Sequence, residues 1–187
     1  MLIVLSFAVL VLAIGMLVLF AMMGELAARV PQGGGPERST VIDPLETERI
    51  GHAPEHWPPG LSHLKQGDGC LLVLSSSCTS CQDVAMQVTR NPGHLEWQEM
   101  AVLVSAFDVK AGKEFVSRHG LGPVPHYVDE RGSWVTDEFS IRQSPVALTF
   151  SGGQLMAAYS FHDVAALRAA ISETRQDAAR QPERTGL

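Results

Sequence analysis

Cysteine is scarce in this chain of 187 residues, which holds three. That excludes a disulfide-packed miniprotein, in which cross-links stand in for a core. Charge is modest: 18% of residues are charged against 45% hydrophobic, which excludes a disordered chain, and nothing in the composition is collagen-like. The net charge is −6 and no basic cluster interrupts the acidic balance, so no nucleic acid partner is expected. There is no internal repeat. The most informative shortage lies at the start. None of the first 23 residues is charged, and only Ser6 and Gly15 among them are not apolar.

Residues 1–23 are too long and too uniformly apolar for a core helix. As a helix they would span roughly 34 Å, against a hydrocarbon core of about 30 Å. A cleaved signal peptide would carry a basic leading region, a shorter apolar run and a small-residue cleavage site, and none of these is present. The segment is therefore expected to be an uncleaved, single-pass anchor. Arg29 and Arg38, the basic residues of the next twenty, weakly favour a cytoplasmic position for the rest of the chain.

Gly33-Gly34-Gly35-Pro36, Asp43-Pro44 and Trp57-Pro58-Pro59-Gly60 are turn and breaker signals. They suggest a linker at 24–49, an irregular start to a domain at 50–175, and a polar, frayed tail at 176–187. Inside the domain the pattern alternates. Short apolar runs at 70–75 and 100–107 read as buried strands, with a further short strand at 126–129 turning at Glu130-Arg131-Gly132. Helical patterns fill 78–90 and 108–119, the second stopping at Gly120. Pro145 opens a strand at 146–150, Gly152-Gly153 is a hairpin turn, and 155–159 is its partner. Ser160 and Asp163 fit a capping box for a last helix, whose Val164, Leu167 and Ile171 share one face. Strands separated by helices imply parallel pairing with helices on both faces, and the hairpin adds an antiparallel edge. The fold class is therefore α/β, a mixed sheet between helices, preceded by one transmembrane helix.

Cys78-Thr79-Ser80-Cys81 carries the chemistry. The pair follows a buried strand and opens a helix, where free N–H groups and the positive end of the dipole favour a thiolate. Cys78 lies at the exposed terminus and reads as the attacking nucleophile. Cys81 continues the stripe Val84, Ala85, Val88 and reads as the buried resolving thiol. The hydroxyls of Thr79 and Ser80 are candidates to support the thiolate. Two other readings exist. A zinc site needs four ligands, with His52 and His56 the best additional pair, but Pro54 between them breaks the helix that would align them. Two inert structural cysteines are the other. Cys70 begins the preceding strand and reads as a bystander. No cofactor or metal is expected. Trp97 and Trp134 read as packing residues, His126 as a surface or hydrogen-bond-satisfied residue rather than a catalyst, and Trp57 as a cover for the loop leading into the domain.

A strand, a Cys-x-x-C at a helix start, and later a proline opening a hairpin before a C-terminal helix resemble the thioredoxin fold. The run Val73–Cys81 with the apolar start and residues 23–30 is similar to membrane-anchored bacterial thioredoxin-like proteins, above all the methylamine-utilisation (methylamine dehydrogenase accessory) MauD type. The resemblance implies a thiol–disulfide oxidoreductase acting on extracytoplasmic protein disulfides, with a membrane or extracytoplasmic redox partner. It also implies that the Ser144–Pro145 bond is cis, and that Ser144 and Pro145 dock the substrate chain beside Cys78 and Cys81. Leu72, six residues before Cys78, stands where thioredoxin has a buried acid, so deprotonation of Cys81 needs water or another base.

Overall fold

A computed structural model of the chain describes residues 42–90 and 100–180, with Ser6, Gly15 and Met16 as isolated positions before them. The chain divides into two units, Met1–Glu37 and Arg38–Leu187, and the sheet with its helices belongs to the second. The expected anchor, apart from those three positions, and Trp97 lie outside the described residues. Among the described residues, no helix is long and apolar enough to cross a membrane.

Six strands form one mixed sheet: β1 (Asp43–Pro44), β2 (Asp68–Ser75), β3 (Met100–Ala106), β4 (His126–Glu130), β5 (Val146–Ser151) and β6 (Gln154–Ser160). Their spatial order is β1-β6-β5-β2-β3-β4. β2, β3 and β4 run parallel, with Leu72 beside Val102 and Val102 beside His126. β5 lies antiparallel to both β2 and β6. Among the described residues, the helices beside the sheet are α1 (Thr79–Arg90), α2 (Val109–Arg118), α3 (Ser133–Phe139) and α4 (Val164–Arg180). A 3-10 turn, Pro59–Lys65, precedes β2 and starts on Pro59, whose missing N–H costs nothing there.

The central strands β2 and β3 are apolar on both faces because both faces are covered. Leu72 and Leu74 point to one side, where Val84, Ala85 and Val88 of α1, Phe115 and Val116 of α2, and Val164 and Leu167 of α4 meet them. Leu71 and Val73 point to the other, against Leu61 and Leu64 of the 3-10 turn and Val135 and Phe139 of α3. Each such side chain, removed from water, stabilises the fold by roughly 1.5–3 kcal/mol before entropy is counted.

The structure departs from the sequence reading in several places. The hairpin is not the sheet edge: β5 is interior, and β1 covers β6 by pairing Asp43 with Ser160 and Pro44 with Tyr159. That strand lies in the stretch read as linker, because two paired residues leave no periodicity to detect. α3, seven residues long, has no counterpart in the sequence reading. α4 continues to Arg180, into the stretch read as a frayed tail. Ser160 is the last residue of β6, three positions before the cap. Asp163 is itself the cap of α4, its Oδ1 accepting the Ala166 N–H at 2.9 Å. The α2 boundaries match the reading, with Asp108 Oδ1 accepting the Ala111 N–H at 2.7 Å and Gly120 taking φ +66° beyond the helix. Gly152 and Gly153 both have positive φ, which is what a two-residue hairpin turn of this hand demands.

Candidate dithiol site

β2 ends at Ser75, and the chain turns through Ser76 and Ser77 so that Cys78 stands at the N-terminal cap of α1. The Cys78 N–H donates to the Ser75 carbonyl at 3.2 Å, and the Cys78 carbonyl accepts the first helical N–H, from Gln82, at 3.3 Å. A cap side chain normally accepts an N–H two or three residues on. Here the acceptor is sulfur: the Cys81 N–H donates to Cys78 Sγ at 3.3 Å. This backbone donor, rather than the Thr79 or Ser80 hydroxyl, faces the sulfur. Thr79 is exposed and Ser80 half-buried, and among the described residues neither hydroxyl is bonded to Cys78. The helix geometry itself explains the difference, since the third N–H of a first turn points back at the cap whatever side chains lie between.

Across the site, the Ser144–Pro145 bond is cis. Pro145 is buried and Ser144 half-buried. The Cys78 thiol donates to the Ser144 carbonyl at 3.8 Å, joining residues 66 apart in sequence. The structure therefore brings four of the expected site residues together, namely Cys78, Cys81, Ser144 and Pro145. Both thiols of the pair are unbridged. Cys78 is half-exposed, whereas Cys81 is fully buried among Leu72, Val84 and Ala85. Burial, reinforced by the hydrogen bond with Cys78, pushes the Cys81 thiol from 9.0 up to about 12.

Leu72 is itself fully buried in the same apolar cluster, so no carboxylate stands at that position. The buried carboxylate of the sheet, Asp129, is committed elsewhere. Its Oδ1 accepts the Ser133 hydroxyl and the Trp134 N–H, at 3.3 and 3.1 Å, and its Oδ2 accepts the Val135 N–H at 3.0 Å. It holds the start of α3. The acid four residues ahead of Ser133 was the available sequence signal for that helix.

The remaining candidates are accounted for by packing. His52 Nε2 lies 2.9 Å from Glu138 Oε2, and the His56 carbonyl accepts the Trp134 indole N–H at 3.0 Å. Trp57 packs at a tilt against Trp134 and edge-on against Phe150, at ring separations of 5.9 and 5.3 Å. His126 Nδ1 sits 2.8 Å from its own loop carbonyl, Val124 O. Cys70 pairs with Met100 and Thr149 near the opposite end of β2 from Cys78.

No family model matches the chain, and no curated protein matches it either. Solved structures do match. One is the thioredoxin domain of a thiol-disulfide oxidoreductase from Bacteroides vulgatus, 11% identical, aligned over 70% of this chain and 98% of that one with a TM-score of 0.51. A second, described as a thioredoxin from Neisseria meningitidis, is 18% identical over 66% and 89% of the two chains, with a TM-score of 0.52. A third, described as the thiol:disulfide interchange protein DsbE from Chlorobium tepidum, is 16% identical over 70% and 98%, with a TM-score of 0.50. The fold is thioredoxin-like. At these identities the likeness establishes architecture, and the chemistry rests on the site. In a thioredoxin-like sheet, the two cysteines and the cis proline come from the carboxyl end of β2, the start of α1 and the turn into β5, three elements that meet at one end of the sheet.

Proposed function

We propose that this protein is a thiol–disulfide oxidoreductase acting on protein disulfides through Cys78 and Cys81. The observation that carries the reading is the half-exposed Cys78 Sγ, held between the Cys81 N–H and the Ser144 carbonyl, with a second, buried thiol one helical turn behind it. In the reducing direction, the Cys78 thiolate attacks one sulfur of a substrate disulfide. A Cys78–substrate bond forms and the other substrate sulfur leaves as a thiolate. Cys81 loses its proton and attacks Cys78 Sγ, forming the Cys78–Cys81 disulfide and releasing the second substrate thiolate. Two electrons pass to the substrate, and the reverse sequence oxidises a substrate dithiol. The backbone around Ser144 and Pro145 is the docking edge for the substrate chain.

The setting we propose is the outer face of a membrane, with residues 1–23 as anchor. The resemblance of the apolar start and the cysteine segment to the methylamine-utilisation accessory type supports this. It also supports a disulfide-containing enzyme subunit, such as that of methylamine dehydrogenase, as substrate, and a membrane or extracytoplasmic redox partner.

The test is a trapping series. Cys81→Ser should accumulate mixed disulfides that disappear on reduction, because nothing remains to release the substrate. Cys78→Ser should form none. A Cys81→Ser protein without trapped partners, combined with tight zinc binding by the reduced wild type, would replace the exchange reading with a metal site.

A further inference from the structure

Beside the dithiol lies a pocket of about 320 Å³, bounded by the ends of β2 and β3, the β4–α3 turn and the loop before β5. Ser75, Ser105, Thr136, Arg131 and Arg142 are among the residues that line it, the Thr136 hydroxyl donating to the Ile141 carbonyl at 3.1 Å. Ser144 lines it as well, and the carbonyl of that same residue receives the Cys78 thiol at 3.8 Å. A chain docked along Ser144 therefore has this pocket alongside.

Its charge runs against that of the protein. The chain as a whole carries −6, yet the described lining contains two arginines and no acid. The ion pairs among the described residues are His52–Glu138 and Lys110–Glu114, so neither arginine is neutralised by one. Arg131 is steadied instead by the Phe107 ring, 5.3 Å from its Cζ to the ring centroid, a contact that leaves the charge intact. Asp129, two residues from Arg131, is buried, and its oxygens are engaged by Ser133, Trp134 and Val135. Guanidinium forks with serine hydroxyls among the neighbouring residues suit a planar carboxylate.

We propose that this pocket is a specificity subsite for a carboxylate, receiving an Asp or Glu side chain that flanks the cysteine presented to Cys78. The inference rests on the dithiol-exchange reading and names the substrate class for it: protein disulfides in acidic sequence surroundings. A second copy of the chain is not needed, because both arginines and Ser144 belong to one chain.

The experiment uses the reduced full chain and three single-cysteine peptides, acetylated and amidated so that side chains alone carry charge. Each cysteine is activated as a 2-pyridyl disulfide and flanked by Glu, Gln or Lys. Attack of Cys78 on the peptide sulfur releases pyridine-2-thione, whose absorbance gives the second-order rate constant. The Glu peptide should react about tenfold faster than the Lys peptide at low ionic strength, a ratio that shrinks as salt screens the pocket. Arg142→Gln and Arg131→Gln should each lower that ratio, and Arg142→Glu should turn it towards the Lys peptide. Protection of Cys81 from alkylation reports that each variant is folded. Equal rates for all three peptides, or a ratio that the paired arginine substitutions leave unmoved, would overturn the subsite. Absence of thione release from every peptide would instead remove the exchange reading beneath it.

Discussion

Cys78 and Cys81 have the same side chain and lie three residues apart, yet their surroundings divide the labour between them. Cys78 Sγ is reachable and accepts an N–H from the helix it caps, whereas Cys81 is sealed in the core and holds its proton up to about 12. An alkylating reagent at neutral pH should therefore label Cys78 quickly and Cys81 only on unfolding, which mass spectrometry of quenched samples reads directly. The same shift has a consequence for stability. The folded state raises the thiol above its ordinary 9.0, so its contribution is fully present below pH 9 and is lost as pH climbs towards about 12. The urea midpoint of the wild type should fall through that alkaline window, and the Cys81→Ala midpoint should lack this part of the decline. Resolution of a mixed disulfide should also quicken as pH rises, because Leu72 supplies no base beside Cys81. Cys70 stands apart. It lies five residue steps before Ser75 along the strand, about 16 Å of extended chain, while a disulfide needs Cα atoms within about 7 Å. Cys70→Ser should leave the trapping pattern of the Cys81→Ser background unchanged on non-reducing gels.

At the scale of elements, the parts with a long apolar signal are legible in the sequence and the short ones are not. The runs at Leu71–Leu74 and Ala101–Val104 read as buried strands because they are covered on both faces, and the α1 stripe alone is enough to put Cys81 inside. The dithiol and its proline could be paired only by the family's geometry, since the 66 residues from Cys78 to Ser144 leave no local trace. α3 escapes the sequence for a different reason. Its seven residues span two turns, and its start is held by a carboxylate from the neighbouring strand rather than by a cap next to it in sequence. Asp129→Ala would leave the Trp134 and Val135 N–H groups and the Ser133 hydroxyl without their acceptor. Each buried donor left unsatisfied costs about 1–3 kcal/mol, so the denaturation midpoint should drop well beyond that of a surface substitution. Asp129→Asn, which keeps an oxygen on one side, should recover part of the loss. α2 offers a second test. A Cβ on Gly112 would run into Val128 Cγ1 and crowd Ala106, so the helix approaches β3 and β4 as closely as it does only because glycine is there. Gly112→Ala should destabilise by about 1–3 kcal/mol through overpacking, even though alanine is the better helix former.

For the whole molecule, what matters is how a thioredoxin-like domain is coupled to its first 23 residues. Their lack of charge is the strongest single pattern in the sequence, and it is the ground for the proposed membrane anchor. The proposed exchange reaction suits a compartment in which disulfides persist. Arg29 and Arg38 favour the opposite orientation, but two charges bias topology weakly, and the acidic residues near them contribute little to it either way. Anchoring and orientation are separable by experiment. The full chain should stay in the membrane fraction through alkaline carbonate washing, and a chain starting at residue 24 should move to the supernatant with its cysteine pair still able to oxidise. An alkaline phosphatase fused after Leu187 should then be active on the full chain, since that reporter matures only outside the cytoplasm, and inactive on the shortened one. Retention with an inactive phosphatase and an active cytoplasmic reporter at the same junction would place the dithiol in a reducing compartment. Its resting state would then be the dithiol, and reduction rather than oxidation of partner disulfides would be the direction in which Cys78 works.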